Sequence, residues 1–348
     1  VNKYKRSRGY RTVRGKFRSL VLGLAAIVVV GAYISGTGTA AADTVIATVP
    51  VGVSPNAVAA SPDGHRVYVT NVFDKSVSVI DTATNTVVGT VDVGVPPEAV
   101  AASPDGHRVY VTNNGDATVS VIDTATNTVT ATIPVGDHPQ GVAVTPNGSY
   151  AYVANFVDGA VSVIDTATDT VTATIPLGGE PAGVAITPDG HRVYVTNVID
   201  NSVSVIDTAT NTVTATIPVG AYPDAVAASP NGSYAYVNNY NDGSVSVIDT
   251  ATDTVTATIP VGDHLGGVAI TPDGHRVYVT NFVADGAVSV IDTATDTVTA
   301  TIPVGDYPRG VAVTPNGSYA YVANSNDGTV SVIAIDQCTG SLCFDSGS

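Results

Sequence analysis

From Thr44 to Ile335 apolar and polar positions alternate in short runs, and the runs return at a fixed interval. In Thr128-Val129-Thr130-Ala131-Thr132-Ile133, threonines occupy one face of an extended chain and apolar residues the other, the period-2 signature of a strand. Three further runs precede it, over Ala99–Ser103, Arg108–Asn113 and Thr118–Asp123. Between the first two of these stands Pro104-Asp105-Gly106, in which proline presets φ and glycine accepts a positive φ, so a tight turn is predicted there. Asp123-Thr124-Ala125-Thr126-Asn127 closes a later hairpin, its short polar side chains suited to bonding turn backbone.

The triplet recurs with Asp or Asn at positions 63, 105, 147, 189, 231, 273 and 316. Five intervals are 42 residues and the sixth is 43, one residue having been added around Ala284. Four-strand units at this period predict a β-propeller. Seven triplets supply seven copies of the first three strands. The last copy lacks its fourth strand, where Gln337-Cys338-Thr339-Gly340 stands instead. Thr44-Val45-Ile46-Ala47-Thr48-Val49 matches that fourth strand and has no unit of its own. The fold class predicted is therefore all-β: a seven-bladed β-propeller with four antiparallel strands per blade. Its ring is closed by the N-terminal strand pairing into the last blade, which leaves no open sheet edge. Residues 43–336 form one domain, because each blade needs its neighbours to bury its faces.

The ends read differently. Eight basic and no acidic residues lie between Asn2 and Arg18, an uncharged stretch runs from Leu20 to Ile34, and Ala40-Ala41-Ala42 follows. That order predicts a signal peptide over residues 1–42, cleaved before Asp43, and hence a secreted or cell-surface protein. The alternative is an uncleaved anchor, because the apolar stretch can be extended to about 17 residues, the lower limit for a bilayer span. Val1 in place of Met points to an alternative start codon or a trimmed chain, and so to a bacterial source. In the C-terminal tail, residues 337–348, Cys338 and Cys343 are expected to form a disulfide, as a close pair does in an oxidising compartment.

Beyond Ala42 there are 30 acidic residues and six basic ones, a net charge of about −24. Such a chain repels nucleic acid and anionic lipid, so neither is expected as a partner. No membrane association is expected after cleavage, and the protein is read as a monomer.

Tyr68-Val69-Thr70-Asn71 returns at Tyr110–Asn113, Tyr194–Asn197 and Tyr278–Asn281, flanked by motifs such as Ser61-Pro62-Asp63-Gly64 and Val77-Ser78-Val79-Ile80-Asp81. These residues resemble the YVTN family of β-propeller repeats over essentially the whole of residues 44–335. Three blades depart to Tyr152-Val153-Ala154-Asn155, Tyr236-Val237-Asn238-Asn239 and Tyr321-Val322-Ala323-Asn324. The resemblance implies an exported or cell-surface protein, of the surface-layer or YncE-like periplasmic kind, and implies no single reaction.

Inter-repeat variation collects in two loop classes: the loop between second and third strands, and the loop from the outer strand into the next blade. In an antiparallel meander both emerge on one face of the ring, the candidate binding face. The loops into successive blades end at Asn56, Glu98, Gln140, Ala182, Asp224, Gly266 and Arg309, which should ring the channel mouth. The candidate ligand-binding residues are Glu98, His138, Glu180, Tyr222, Asp224, His264, Tyr307 and Arg309, all breaks in an otherwise repeated pattern. A metal held by His138 and His264 with Glu98 or Asp224 would need the mouth to bring distant blades together, and no metal or other cofactor is expected. His65, His107, His191 and His275 belong to the opposite face and read as solvated strand-start residues. No Gly-x-Ser-x-Gly elbow and no Gly-rich phosphate loop is present. The leading functional expectation is a binding or scaffold protein that meets an unknown ligand, glycan or protein on this face. The alternative is a lactonase-like hydrolase with its site at the channel mouth, and no catalytic residue stands out for it.

Overall fold

The computed structural model describes residues 43–336, which form twenty-eight strands and no helix. The expected signal peptide and the expected Cys338–Cys343 disulfide lie outside these residues. Strands are numbered β1 (Thr44–Pro50) to β28 (Thr329–Ala334) in chain order and fall into seven antiparallel four-stranded sheets. Blade 2 serves as the pattern: β6 (Pro97–Ala102) is innermost, β7 (Arg108–Asn113) and β8 (Thr118–Asp123) follow, and β9 (Thr128–Pro134) is outermost. The two middle strands match the sequence prediction to the residue. The innermost strand begins two residues earlier than expected, at Pro97, so Glu98 lies inside a strand and not at the end of a loop.

Both faces of the middle strands are buried, which explains their composition. Tyr110 packs with Val142, Val153 and Ile164 of blade 3, whereas Val109 and Val111, pointing the other way, pack with Tyr68 and Val79 of blade 1. All seven tyrosines of this type are at most 2% exposed. No blade could bury these faces alone, so the ring must close to be stable.

Closure follows the predicted scheme. In the last blade the order is β1, β28, β27 (Tyr319–Asn324) and β26 (Pro308–Val313), with Thr44 opposite Ala334 and Pro50 opposite Thr329. Asp43 completes the imitation. Elsewhere the residue before the outermost strand ends a hairpin turn and receives the previous blade: the hydroxyl of Tyr152 donates to Asn211 Oδ1 at 2.8 Å, and that of Tyr321 to Asn85 Oδ1 at 2.8 Å. At the junction Asp43 takes that place, accepting from Arg276 Nη1 at 2.9 Å, from the Tyr278 hydroxyl and from the Asp336 backbone N–H at 2.8 Å. Its side chain is 4% exposed.

Each innermost strand carries a register shift just after its first residue, between Pro97 and Val100 in blade 2. A bulge of this kind re-aims side chains. Here it turns Asn56, Glu98, Gln140 and their equivalents toward the mouth of the channel.

Candidate functional site at the channel mouth

The two variable loop classes are tied together by main chain on one face. The Phe156 N–H donates to His138 O at 3.0 Å, that of Tyr240 to Tyr222 O at 2.9 Å, and that of Phe282 to His264 O at 2.7 Å. The accepting residue stands at one equivalent position in every blade. At that position Ser54, His138, Glu180, Tyr222, His264 and Tyr307 all have φ between 52° and 59°, and blade 2 alone has a proline, Pro96. Five of the eight sequence-predicted residues thus share a single left-handed backbone site. Histidine enters that region with some ease, but for Tyr or Glu it stores of order 1 kcal/mol or more of strain, which the clamp holds in place.

Inside this ring of loops lies a cavity of about 460 Å³. All seven rim residues named from the sequence line it, from Asn56 round to Arg309. The small residues that follow them are required by crowding at the axis. A Cβ added to Gly141 would lie 2.3 Å from Ala182 O, and one on Gly310 2.6 Å from Asn56 O.

Three charged side chains reach the cavity. Asn56 stands between two of them: its Nδ2 donates to Glu98 Oε2 at 2.8 Å, and its Oδ1 accepts from Arg309 Nη1 at 3.0 Å. Arg309 also lies over the ring of Phe282, 4.7 Å from the centroid, a cation–π contact. Asp224 faces the same space and its carboxylate has no hydrogen-bond partner among the described residues. Burial raises the pKa of both acids, opposed in each by the positive charge of Arg309. Asp224 retains some accessible surface, yet its carboxyl lies deep in the mouth, where few waters can solvate the charge.

Aromatic rings form an arc over blades 5 to 7. Tyr240 lies 5.7 Å from Tyr222 and 5.0 Å from His264, and Phe282 lies 5.2 Å from Tyr307. Of the predicted residues, Glu98, Tyr222, Asp224 and Arg309 therefore meet in the cavity. His138, Glu180, His264 and Tyr307 do not line it. His138 turns to the neighbouring Asp137, Nδ1 to Oδ1 at 2.8 Å, and Tyr307 lines a second cleft with Phe73 and Val53. His138 and His264 are not brought together, and among the described residues no group of three metal-ligating side chains is placed to hold an ion. Tyr240 and Phe282 line the cavity without having been singled out. They occupy the first position after the repeated Asn, where the other blades carry Val72, Asn114, Phe156, Val198 and Ser325. An aromatic at that variable position was the available signal, but a partial one, since Phe156 has the same placement and does not line the cavity.

Comparison with known proteins places this architecture among relatives. A family model described as YNCE-like beta-propeller matches residues 6–148, and one described as Lactonase, 7-bladed beta-propeller matches residues 250–346. Both matches, with the seven-bladed ring, are consistent with a YVTN/YncE-like propeller. Comparison with curated proteins gave no match. A solved chain from Kuenenia stuttgartiensis hydrazine synthase is 28% identical, with a TM-score of 0.74 over 87% of this chain and 99% of that one. Matching solved chains number 1731, so the scaffold is shared too widely to fix a function by itself.

Proposed function

We propose that this protein is an exported binding or scaffold protein of the cell surface or exterior, and that it captures its ligand at the channel mouth. The convergence of all seven rim residues on one cavity, above a scaffold that repeats almost verbatim, carries this reading. A volume of about 460 Å³ suits a small molecule or the tip of a larger one. Carboxylates, an arginine and aromatic rings together offer charge pairing, hydrogen bonding and a stacking surface. The basic and apolar N-terminal segment supports export.

The test uses purified protein from the culture medium on arrays of glycans and peptidoglycan fragments. Binding should fall at least tenfold with Glu98→Ala or Tyr222→Ala and survive His191→Ala on the opposite face. Binding that survives both mouth changes and collapses with His191→Ala would move the site to the other face.

A second reading, a lactonase-like hydrolase, draws on two observations: the lactonase match over residues 250–346, and the pair of carboxyls that burial pushes up. A carboxyl whose pKa is raised by burial is suited to act as a general acid, and an ionised partner can draw a proton from water as it attacks a carbonyl. The cavity lining holds no Ser, Cys or His, so the attacking group would be water or a lining carboxylate or tyrosine. Turnover of a lactone panel that is lost in Glu98→Gln, with binding retained, would favour this reading.

A further inference from the structure

Four of the five arginines among the described residues have a carboxylate within ion-pair distance. Arg66 meets Asp81, Arg108 meets Asp169 at 3.1 Å, Arg192 meets Asp253 at 3.1 Å and Arg276 meets Asp43 at 2.9 Å. Arg309 has none, although it stands in a strongly acidic chain and shares a cavity with two carboxylates. Asn56 holds it away from Glu98 by bonding to both. One guanidinium N–H is taken by Asn56 and one face by Phe282, and the remaining donors have no protein acceptor among the described residues. The mouth thus keeps a cation and two anions apart, each lacking the partner its chemistry calls for.

We propose that the mouth binds a small zwitterion with a flat apolar body, of the aromatic α-amino-acid class, its carboxylate on Arg309 and its ammonium between Glu98 and Asp224. This rests on the reading of the mouth as the ligand site. A simple anion would meet two carboxylates and a simple cation would meet Arg309, whereas a zwitterion answers both charges and enters as a neutral species. Guanidinium matches carboxylate with two parallel hydrogen bonds. Burial has left both acids short of solvation, so each gains from an incoming ammonium group. Tyr222 and Tyr240 supply the ring surface beside Asp224. Gly266, the rim residue of the blade between Asp224 and Arg309, places no side chain in the mouth, and a Cβ there would lie 2.6 Å from Thr280 Oγ1.

The experiment is calorimetric titration of the full exported protein with L-tryptophan, L-tryptophan methyl ester and N-acetyl-L-tryptophan, alongside the glycan and peptidoglycan arrays. Tryptophan should bind, and each blocked form should bind at least about tenfold more weakly, the least that loss of one charge-assisted contact costs. In Arg309→Gln the ester should bind as well as the parent, and in Glu98→Gln the N-acetyl form should close the gap. Because the decisive comparison is made on the unaltered protein, misfolding of a variant cannot obscure it. An ester that matches tryptophan in the unaltered protein would show a cation site, and an N-acetyl form that matches it an anion site; either overturns the proposal. Glu98-dependent array binding without response to tryptophan overturns the zwitterion and leaves the mouth as a glycan site. No Glu98-dependent binding in either assay overturns both readings.

Discussion

On the face opposite the mouth, Asp63, Asp105 and Asp189 each sit in a Pro-Asp-Gly turn that satisfies its carboxylate locally. Asp105 accepts from Ser103 Oγ and from the His107 N–H at 3.0 Å, and these bonds, the first above all, hold its pKa below the usual range. The left-handed residue of each turn is glycine, with φ of 72° at Gly64 and 74° at Gly106. At the mouth both relations are reversed. Glu98 has one hydrogen-bond partner and Asp224 none, burial pushes both upward, and the left-handed position entering each blade is held by Ser, Tyr, His or Glu in six of the seven. The same residue type that completes the fold in the turns is left incomplete where it faces the cavity. The turn positions whose partners are supplied locally carry Asp or Asn in every blade, whereas the residues facing the cavity differ from blade to blade, and its carboxylates await an outside partner.

The sharpest separation of the two faces should come from stability. Asp43 belongs to the turn-bearing face and is a buried acid paired with Arg276. Removing one partner of such a pair costs roughly 3–5 kcal/mol, so Asp43→Ala should lower the melting midpoint by roughly 5–8 °C in a protein of this size. Deleting Asp43–Pro50 should do more, since it also strips β28 of its partner and opens an apolar edge. Arg309→Ala at the mouth should shift the midpoint by no more than about 1 °C, as exposed positions generally do. Thermal unfolding followed by circular dichroism decides this. A midpoint in Asp43→Ala close to that of the parent would remove the closure scheme.

The two classes of carboxylate also predict opposite pH responses. Glu98 and Asp224 have raised native pKa values, so between the unfolded value near 4 and the raised value the native state binds more protons. Their contribution to stability therefore falls as pH climbs through that window and is least favourable above it. Asp63, Asp105 and Asp189 have depressed native values; their contribution is present above about pH 4 and is lost as pH falls through the native value. Glu98→Gln keeps the acceptor for Asn56 and should raise stability at pH 7, while weakening mouth binding. Asp105→Asn should lower stability at pH 7 and flatten the acid limb. Urea melts of both variants from pH 3 to 8 check the signs, and equal responses would erase the distinction between the faces.

How legible each face was in the sequence follows from the same contrast. Seven turn triplets, the orphan strand at Thr44–Val49 and the small residues near the axis were enough for blade number, closure and the ring of rim positions, because each reflects a local rule repeated seven times. Asp43 was readable too, since Asp43-Thr44-Val45 parallels Asn85-Thr86-Val87, yet its role as the final turn residue emerges only from its bonds to Arg276 and Tyr278. The mouth was legible as a list and not as an arrangement. Nothing periodic says that His138 turns to Asp137, or that Phe282 turns inward under Arg309. The left-handed backbone at Tyr222 and Tyr307 could not be read at all, because those residue types do not advertise it.

Between the two faces, just beneath the rim, the repeat carries a bond that some blades lack, and restoring it gives the smallest predicted effect. Thr112 Oγ1 accepts from the Ala99 N–H at 2.9 Å and donates to Gln140 O at 2.7 Å, joining its own innermost strand to that of the next blade. Thr70 does the same toward Glu98 O, and Asn238 Nδ2 reaches Gly266 O at 2.7 Å in blade 5. Blades 3 and 7 carry Ala154 and Ala323 instead, both fully buried. In Ala154→Thr the new hydroxyl should meet the Gly141 N–H and Ala182 O, the groups equivalent to those that Thr112 joins. One such bond contributes about 1 kcal/mol net, so the midpoint should rise by about 1–2 °C. Because the added methyl and hydroxyl lie below the rim, affinity at the mouth should not change. A fall in the midpoint would mean that blade 3 is packed more tightly against Ala182 than its sisters are against their neighbours. A change in affinity would mean that the scaffold and the mouth, separated so far by the fate of their carboxylates, are mechanically coupled through these stitches.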